Sequence, residues 1–144
     1  MSRRDETDHM QPALTGQIVV ILTVNDADRS AAWYGRLLGA AESSRYSSGD
    51  GPLQVVVEEP ATGMQLCLLS RPGNRSDRFD ERRIGLDHVE FLVATRAALD
   101  DWAEHLDQLG VVHSGIKEPR YGSAAMVTLR DPDNIQLEFY WPGS

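Results

Sequence analysis

Residues 17–40, QIVVILTVNDADRSAAWYGRLLGA, and residues 86–111, LDHVEFLVATRAALDDWAEHLDQLGV, are two copies of one pattern. An offset of 69 residues lays Val24 on Val93 and Trp33 on Trp102; past the helical stretch a two-residue insertion moves the offset to 71, so that Leu38-Gly39 meets Leu109-Gly110. A single repeat on this scale marks a duplicated supersecondary unit. Each copy opens on a run rich in β-branched and aromatic residues, 18–24 and 88–93, as a strand should. Asp26 or Asp28 in the first copy and Thr95 in the second are candidate N-caps, which predicts helices over 29–38 and 97–109. Gly39 and Gly110 fall where a left-handed C-terminal cap belongs, and Leu99, Trp102, Ala103, Leu106 and Leu109 recur at intervals of mostly three and four along the second helix.

Shorter strand candidates follow each helix: 41–46, 53–58 and 64–69 in the first copy, and 111–114, 124–130 and 135–140 in the second. Gly49-Asp50-Gly51-Pro52 and Asp131-Pro132-Asp133-Asn134 supply the turns, since proline presets φ and asparagine and glycine tolerate positive φ. The predicted fold class is α+β, two tandem β-α-β-β-β modules with curved mixed sheets around a pocket. A polar tail, expected to be flexible, occupies 1–12; one domain over 13–144 contains module one (13–70), a charged linker (71–84) and module two (85–144). Phe79 is the linker residue suited to anchor on the core or over the pocket.

With 144 residues the chain suits one domain with a real core. No apolar run approaches the roughly 18 residues needed to cross a bilayer, and the start lacks the apolar stretch of a secretory leader. The lone Cys67 excludes an internal disulfide and agrees with a reducing, cytoplasmic setting. A formal charge of −8 argues against nucleic acid, which needs a basic face, and favours a cationic ligand.

Period-two alternation divides each sheet into two rows. Val20, Leu22, Val24, Leu66 and Leu68, with Val89, Phe91, Val93, Leu137 and Phe139, face the helices. The opposite rows hold Val19, Ile21, Thr23, Gln65, Cys67 and Leu69 in module one, and His88, Glu90, Leu92, Gln136, Glu138 and Tyr140 in module two. Such a mixed row suits either solvent or a ligand pocket. Trp33, Phe91, Trp102 and Phe139 belong to the core; Tyr140, on the open row, and Tyr121, in a glycine-adjacent loop, are the aromatic candidates for stacking on a ligand.

LTVNDADRSAAWYGRLLGA, GLDHVEFLV and LRDPDNIQLEFY resemble the opening strand and helix, the second module's first strand and the closing hairpin of the vicinal oxygen chelate superfamily, which includes glyoxalase I, fosfomycin-modifying enzymes, bleomycin-binding proteins and extradiol dioxygenases. The resemblance spans about residues 16–141. It implies paired modules around a small-molecule site, within one chain or across a swapped homodimer, with metal ligands on the first and last strands in metal-dependent members. Carried over by position, the ligand places fall on Val19, approximately Cys67, His88 and Glu138; the internal repeat pairs Val19 with His88 and Cys67 with Glu138 by the same offsets. Valine cannot ligate, so module one retains at most one ligand.

Zinc catalytic sites keep three protein ligands and non-haem iron sites two His and one carboxylate, and neither set is complete at these places. The expectation is therefore no cofactor: a metal-independent protein that binds or sequesters a small, cationic or aromatic molecule, antibiotics included. His88, Glu90, Glu138, Tyr140, Tyr121, Val19 and Cys67 are its candidate contacts. The alternative is a glyoxalase-like lyase or isomerase with zinc, iron, manganese or nickel on His88, Glu138 and Cys67, in which His88 and Glu138 are also the catalytic candidates. Against both stand two plain possibilities, a His–Glu pair that satisfies itself and a cysteine that packs as a small hydrophobe.

Overall fold

The computed structural model describes residues 10–73, 76–120 and 122–144, and its elements repeat once along the chain. Module one contains β1 (Val20–Thr23), α1 (Ala27–Leu38), β2 (Ala41–Ser47), β3 (Leu53–Glu58) and β4 (Gln65–Ser70). Module two contains β5 (His88–Leu92), α2 (Arg96–Leu109), β6 (His113–Lys117), β7 (Ala125–Arg130) and β8 (Gln136–Trp141). Each module folds into its own four-stranded sheet, ordered β1-β4-β3-β2 and β5-β8-β7-β6. In both, the first strand runs parallel to the last and the other neighbours are antiparallel. No helix among the described residues is long and apolar enough to cross a membrane.

The caps explain why the helices begin and end where they do. The Asp26 side chain accepts from Arg29 N–H at 3.1 Å and that of Thr95 from Ala98 N–H at 3.2 Å, each satisfying one of the free donors of a first turn. Asp26 rather than Asp28 is the cap, so α1 starts at Ala27, two residues before the predicted boundary. Gly39 and Gly110 end the helices at φ 65° and 72°. The sixth strand is shifted as well: 111–114 was expected, yet Val111 N–H closes α2 on Leu106 C=O and the strand runs from His113 to Lys117. Gly115, at φ 70°, carries the chain through a register shift between His113 and Ile116 where a break was expected.

Leu22, Leu66, Leu68, Leu137 and Phe139 are buried against the helices as the alternation predicts, with Val20, Val89, Phe91 and Val93 half-buried beside them. Trp102 stacks on Phe139 with ring centroids 3.9 Å apart, and Phe79 in the linker packs on the core's edge. Among the described residues, α1 and α2 are the only elements of the two modules in contact, and no strand of one sheet approaches a strand of the other. A buried polar clasp reinforces this contact. Tyr34 O–H donates to Asp131 at 2.7 Å, and Asn25 donates to Asp133 from its backbone and its side chain at 3.1 and 2.6 Å. The linker is tied to the same turn, since Phe79 N–H donates to Asp133 C=O.

Candidate functional site

The face of the β5–β8 pair away from α2 brings three of the candidate residues together. Parallel pairing sets Glu90 directly beside Glu138 and Leu92 beside Tyr140, and puts His88 one pleat earlier on the same row. His88 Nε2 lies 3.1 Å from Glu90 Oε1 and 3.5 Å from Glu138 Oε2. One donor atom from each of His88, Glu90 and Glu138 lies within 4.8 Å of the other two, the only such group of three among the described residues. Glu90 is exposed and His88 half-buried, whereas Glu138 is 7% exposed. Its Oε1 accepts from Gln136 Nε2 at 3.0 Å.

Two neighbours give the site its electrostatics. His88 Nδ1–H donates to Asp87 Oδ1 at 2.7 Å, which fixes the ring and turns Nε2 toward the two glutamates. That hydrogen bond, followed by the one to Glu90, raises the His88 pKa above its ordinary value against the opposing effect of burial. Burial pushes the Glu138 carboxyl up and the adjacent Glu90 adds to the rise, while His88 and the Gln136 hydrogen bond pull it down. Two carboxylates face one imidazole, so the cluster calls for positive charge. It can hold a cation, coordinate a divalent ion through one nitrogen and carboxylate oxygens, or pass a proton to a bound molecule.

The remaining candidates lie elsewhere. Val19 and Cys67 are on module one's equivalent row, where Ile21 pairs with Cys67 as Glu90 pairs with Glu138. β4, which carries Cys67, touches neither β5 nor β8, so the chain alone does not bring that thiol to His88. Cys67 is 4% exposed and burial raises its pKa, the state of a packed thiol. Val19, just ahead of β1, is 53% exposed. Tyr140 is half-buried on the triad's row, and Tyr121 lies outside the described residues. Sequence reasoning overlooked Asp87 and Gln136, which orient His88 and Glu138; the available signal was adjacency, one residue before the histidine and two before the glutamate. The triad lies on an open sheet face, whereas a cleft of about 330 Å³ lies between the end of β1, the linker at Phe79 and Arg83, and Asp133.

A family model described as the glyoxalase/bleomycin resistance protein/dioxygenase superfamily matches residues 14–139. No curated protein matches the chain significantly. Among solved structures, a glyoxylase/bleomycin resistance protein/dioxygenase domain from Frankia sp. EAN1pec is 34% identical, with 92% of this chain and 94% of that one covered and a TM-score of 0.78. The fosfomycin resistance protein FosX from Listeria monocytogenes is 17% identical, with coverage of 92% and 96% and a TM-score of 0.69. A FosX variant complexed with Mn(II) and dihydroxypropylphosphonic acid is 20% identical, with coverage of 92% and 93% and a TM-score of 0.65.

Proposed function

This chain belongs to the glyoxalase/bleomycin resistance protein/dioxygenase superfamily, and from that premise we propose that it is a small-molecule-binding protein that seats the electropositive end of its ligand on His88, Glu90 and Glu138. The observation that carries this reading is a nine-tenths buried carboxylate, Glu138, set beside a second carboxylate on an accessible sheet face. A buried charge is costly unless paired, and here the pairing is left to a single histidine. The ligand's flat or apolar part lies along Tyr140 and Leu92, the latter 69% exposed. The chain sequesters its ligand, antibiotics among the candidates, and does so in the cytoplasm, where the free Cys67 thiol stays reduced.

The opposite wall of the pocket comes from a second copy. Module one's row presents Val19 and Ile21 at 53% and 55% exposure, and within one chain the two sheets do not meet. A homodimer that sets this apolar row over the triad encloses the ligand between a greasy wall and a polar one, the usual composition of a small-molecule site.

Titration with an aromatic bis-amidine tests the reading. Its binding weakens steeply as salt is raised from about 0.05 to about 0.5 M, and Glu138→Gln costs about 1.5 to 3 kcal/mol, the range for a hydrogen bond to a charged group. Binding that ignores salt, or that prefers an anionic glutathione conjugate, refutes it. A second reading, a metal-dependent lyase or isomerase, is favoured by one observation: the Asp87–His88 hydrogen bond orients the imidazole as ligating histidines are oriented.

A further inference from the structure

We infer that the cleft between the end of β1 and the inter-module linker is a second small-molecule site, which takes a monocarboxylate with an apolar body. His88, Glu90 and Glu138 do not line it, and its preference in charge is the opposite of theirs.

The sequence sets this stretch apart. Residues 71–84 hold five arginines against three acids, a surplus of positive charge in a chain whose formal charge is −8. Within an acidic protein such a surplus concentrates anions at one place, and the cleft opens on it.

The charges of the linker are only partly spent on one another. Asp80 is engaged by Arg82, whose backbone N–H and Nε donate to Oδ1 and whose Nη2 donates to Oδ2, all at 3.0 Å. Those bonds hold its carboxyl down at about 2, with the charge of Arg83 adding at longer range. Glu81 is taken by Arg130 at 2.7 Å, and Asp133 at the cleft's floor accepts twice from Asn25. Arg78 reaches only the neutral Asn134 Oδ1, at 3.0 Å, and neither Arg78 nor Arg83 forms an ion pair among the described residues. Both line the cleft. Against them stands Asp77, the one acid of the lining whose carboxylate has no described partner. Two cations and one anion leave a single positive charge to be answered, which matches a monocarboxylate and disfavours a dianion.

The rest of the lining is apolar. Val24, Phe79, Ile84 and Leu86 face a space of about 330 Å³, at the small end of the range for small-molecule sites. Ile84 is fully exposed and Leu86 is 39% exposed, so the fold leaves uncovered the surface that an apolar body would cover. The walls are preformed. Asn25 Nδ2 donates to Asp77 C=O at 2.7 Å, Phe79 N–H to Asp133 C=O at 2.9 Å, and Asn134 Nδ2 to Phe79 C=O at 2.9 Å. These bonds tie the linker to the end of β1 and to the β7–β8 turn, and a ligand then has little left to order.

Calorimetric titration of the full-length chain with 3-phenylpropanoate provides the test, with 3-phenylpropanol and 3-phenylpropyl phosphate as the neutral and, at about pH 7.5, dianionic counterparts. The expected result is a single saturable site for the carboxylate with a dissociation constant of about 1 mM or tighter, and binding of the alcohol weaker by about tenfold or more. The phosphate also binds less tightly than the carboxylate, and Asp77→Asn reverses that order. Arg78→Gln and Arg83→Gln each weaken the carboxylate by about tenfold, and Ile84→Ser by about threefold. Glu138→Gln binds it as the parent does. Arg78, Arg83 and Ile84 are exposed, so their variants fold normally, which far-UV circular dichroism verifies. Three results overturn the inference: no saturable binding of the carboxylate, an alcohol that binds as tightly as the acid, or parental affinity in the Arg78→Gln, Arg83→Gln double variant. Loss of carboxylate binding in Glu138→Gln also overturns it, because the anion then sits on the triad's sheet.

Discussion

Replacing Tyr34 by phenylalanine removes one oxygen from the clasp between the modules, and its cost can be worked from the geometry. Tyr34 is 0% exposed and its hydroxyl donates to Asp131 Oδ2 at 2.7 Å. Asp131 is 5% exposed, and its other oxygen accepts from the backbone N–H groups of Asp133 and Ile135, both at 2.8 Å. Without the phenol, Oδ2 has no described donor, and the space vacated by one oxygen is too small to admit water. A hydrogen bond to a charged group contributes about 1.5 to 3 kcal/mol; allowing for the easier burial of phenylalanine, the loss is about 2 kcal/mol. In a chain of this size that lowers the melting temperature by about 6 °C. The pH dependence adds a second check. Burial raises the Asp131 pKa, so its contribution is fully present below the unfolded value near 4 and is lost as pH rises through the folded one. The Tyr34 bond opposes that rise; without it the folded pKa climbs further, and the difference between the two proteins is largest near neutrality and shrinks in acid. Urea unfolding of both at about pH 7.5 and about pH 4.5 measures this. A loss below about 0.5 kcal/mol at the higher pH, or one that grows on acidification, refutes the assignment of the clasp as a charged hydrogen bond.

Two further outcomes follow from the packing and the site. Trp102→Ala removes a ring stacked 3.9 Å from Phe139 and costs about 3 kcal/mol by chemical denaturation, as deletion of a large core aromatic does. His88, with its pKa raised first by Asp87 and then by Glu90, contributes stability that is fully present below about pH 6.5 and is lost as pH rises through the folded value. An NMR titration of its ring protons in chelated protein gives a midpoint above the ordinary histidine value that drops in Asp87→Asn; an unchanged midpoint assigns the shift elsewhere.

The repeat was legible because burial against the helices imposes the same demands on both copies. Leu22 and Leu66 answer to Phe91 and Leu137, and the caps Asp26 and Thr95 with Gly39 and Gly110 repeat because any helix needs its ends satisfied. The start of β6 escaped because whether Val111 closes a helix or opens a strand depends on which carbonyl its N–H finds, and that is decided by tertiary packing. Glu90 was legible as a residue of the open row, but its place beside Glu138 was not. Its proximity to Glu138 depends on the β5–β8 pairing, which joins residues 48 positions apart and cannot be obtained by counting along either strand. The clasp was equally hidden, since Asp131 and Asp133 read locally as turn residues while their carboxylates serve the other module.

The same contrast explains how one duplicated scaffold carries two unlike walls. The row that packs on the helices is tied to the core, and a polar group placed there must bring its own partner or cost several kcal/mol. The opposite row faces outward in both modules, so Val19 and Ile21 in one copy and His88 and Glu90 in the other are compatible with identical backbones. Only Cys67 and Glu138, on the inner strands of their sheets, lie on this row and are nevertheless buried. There the tolerance ends: a small thiol packs without a partner, whereas a carboxylate must be paired. Of the residues that distinguish the two walls, Glu138 is therefore the one whose presence the fold alone does not account for, and the residue around which a charged ligand has to be sought.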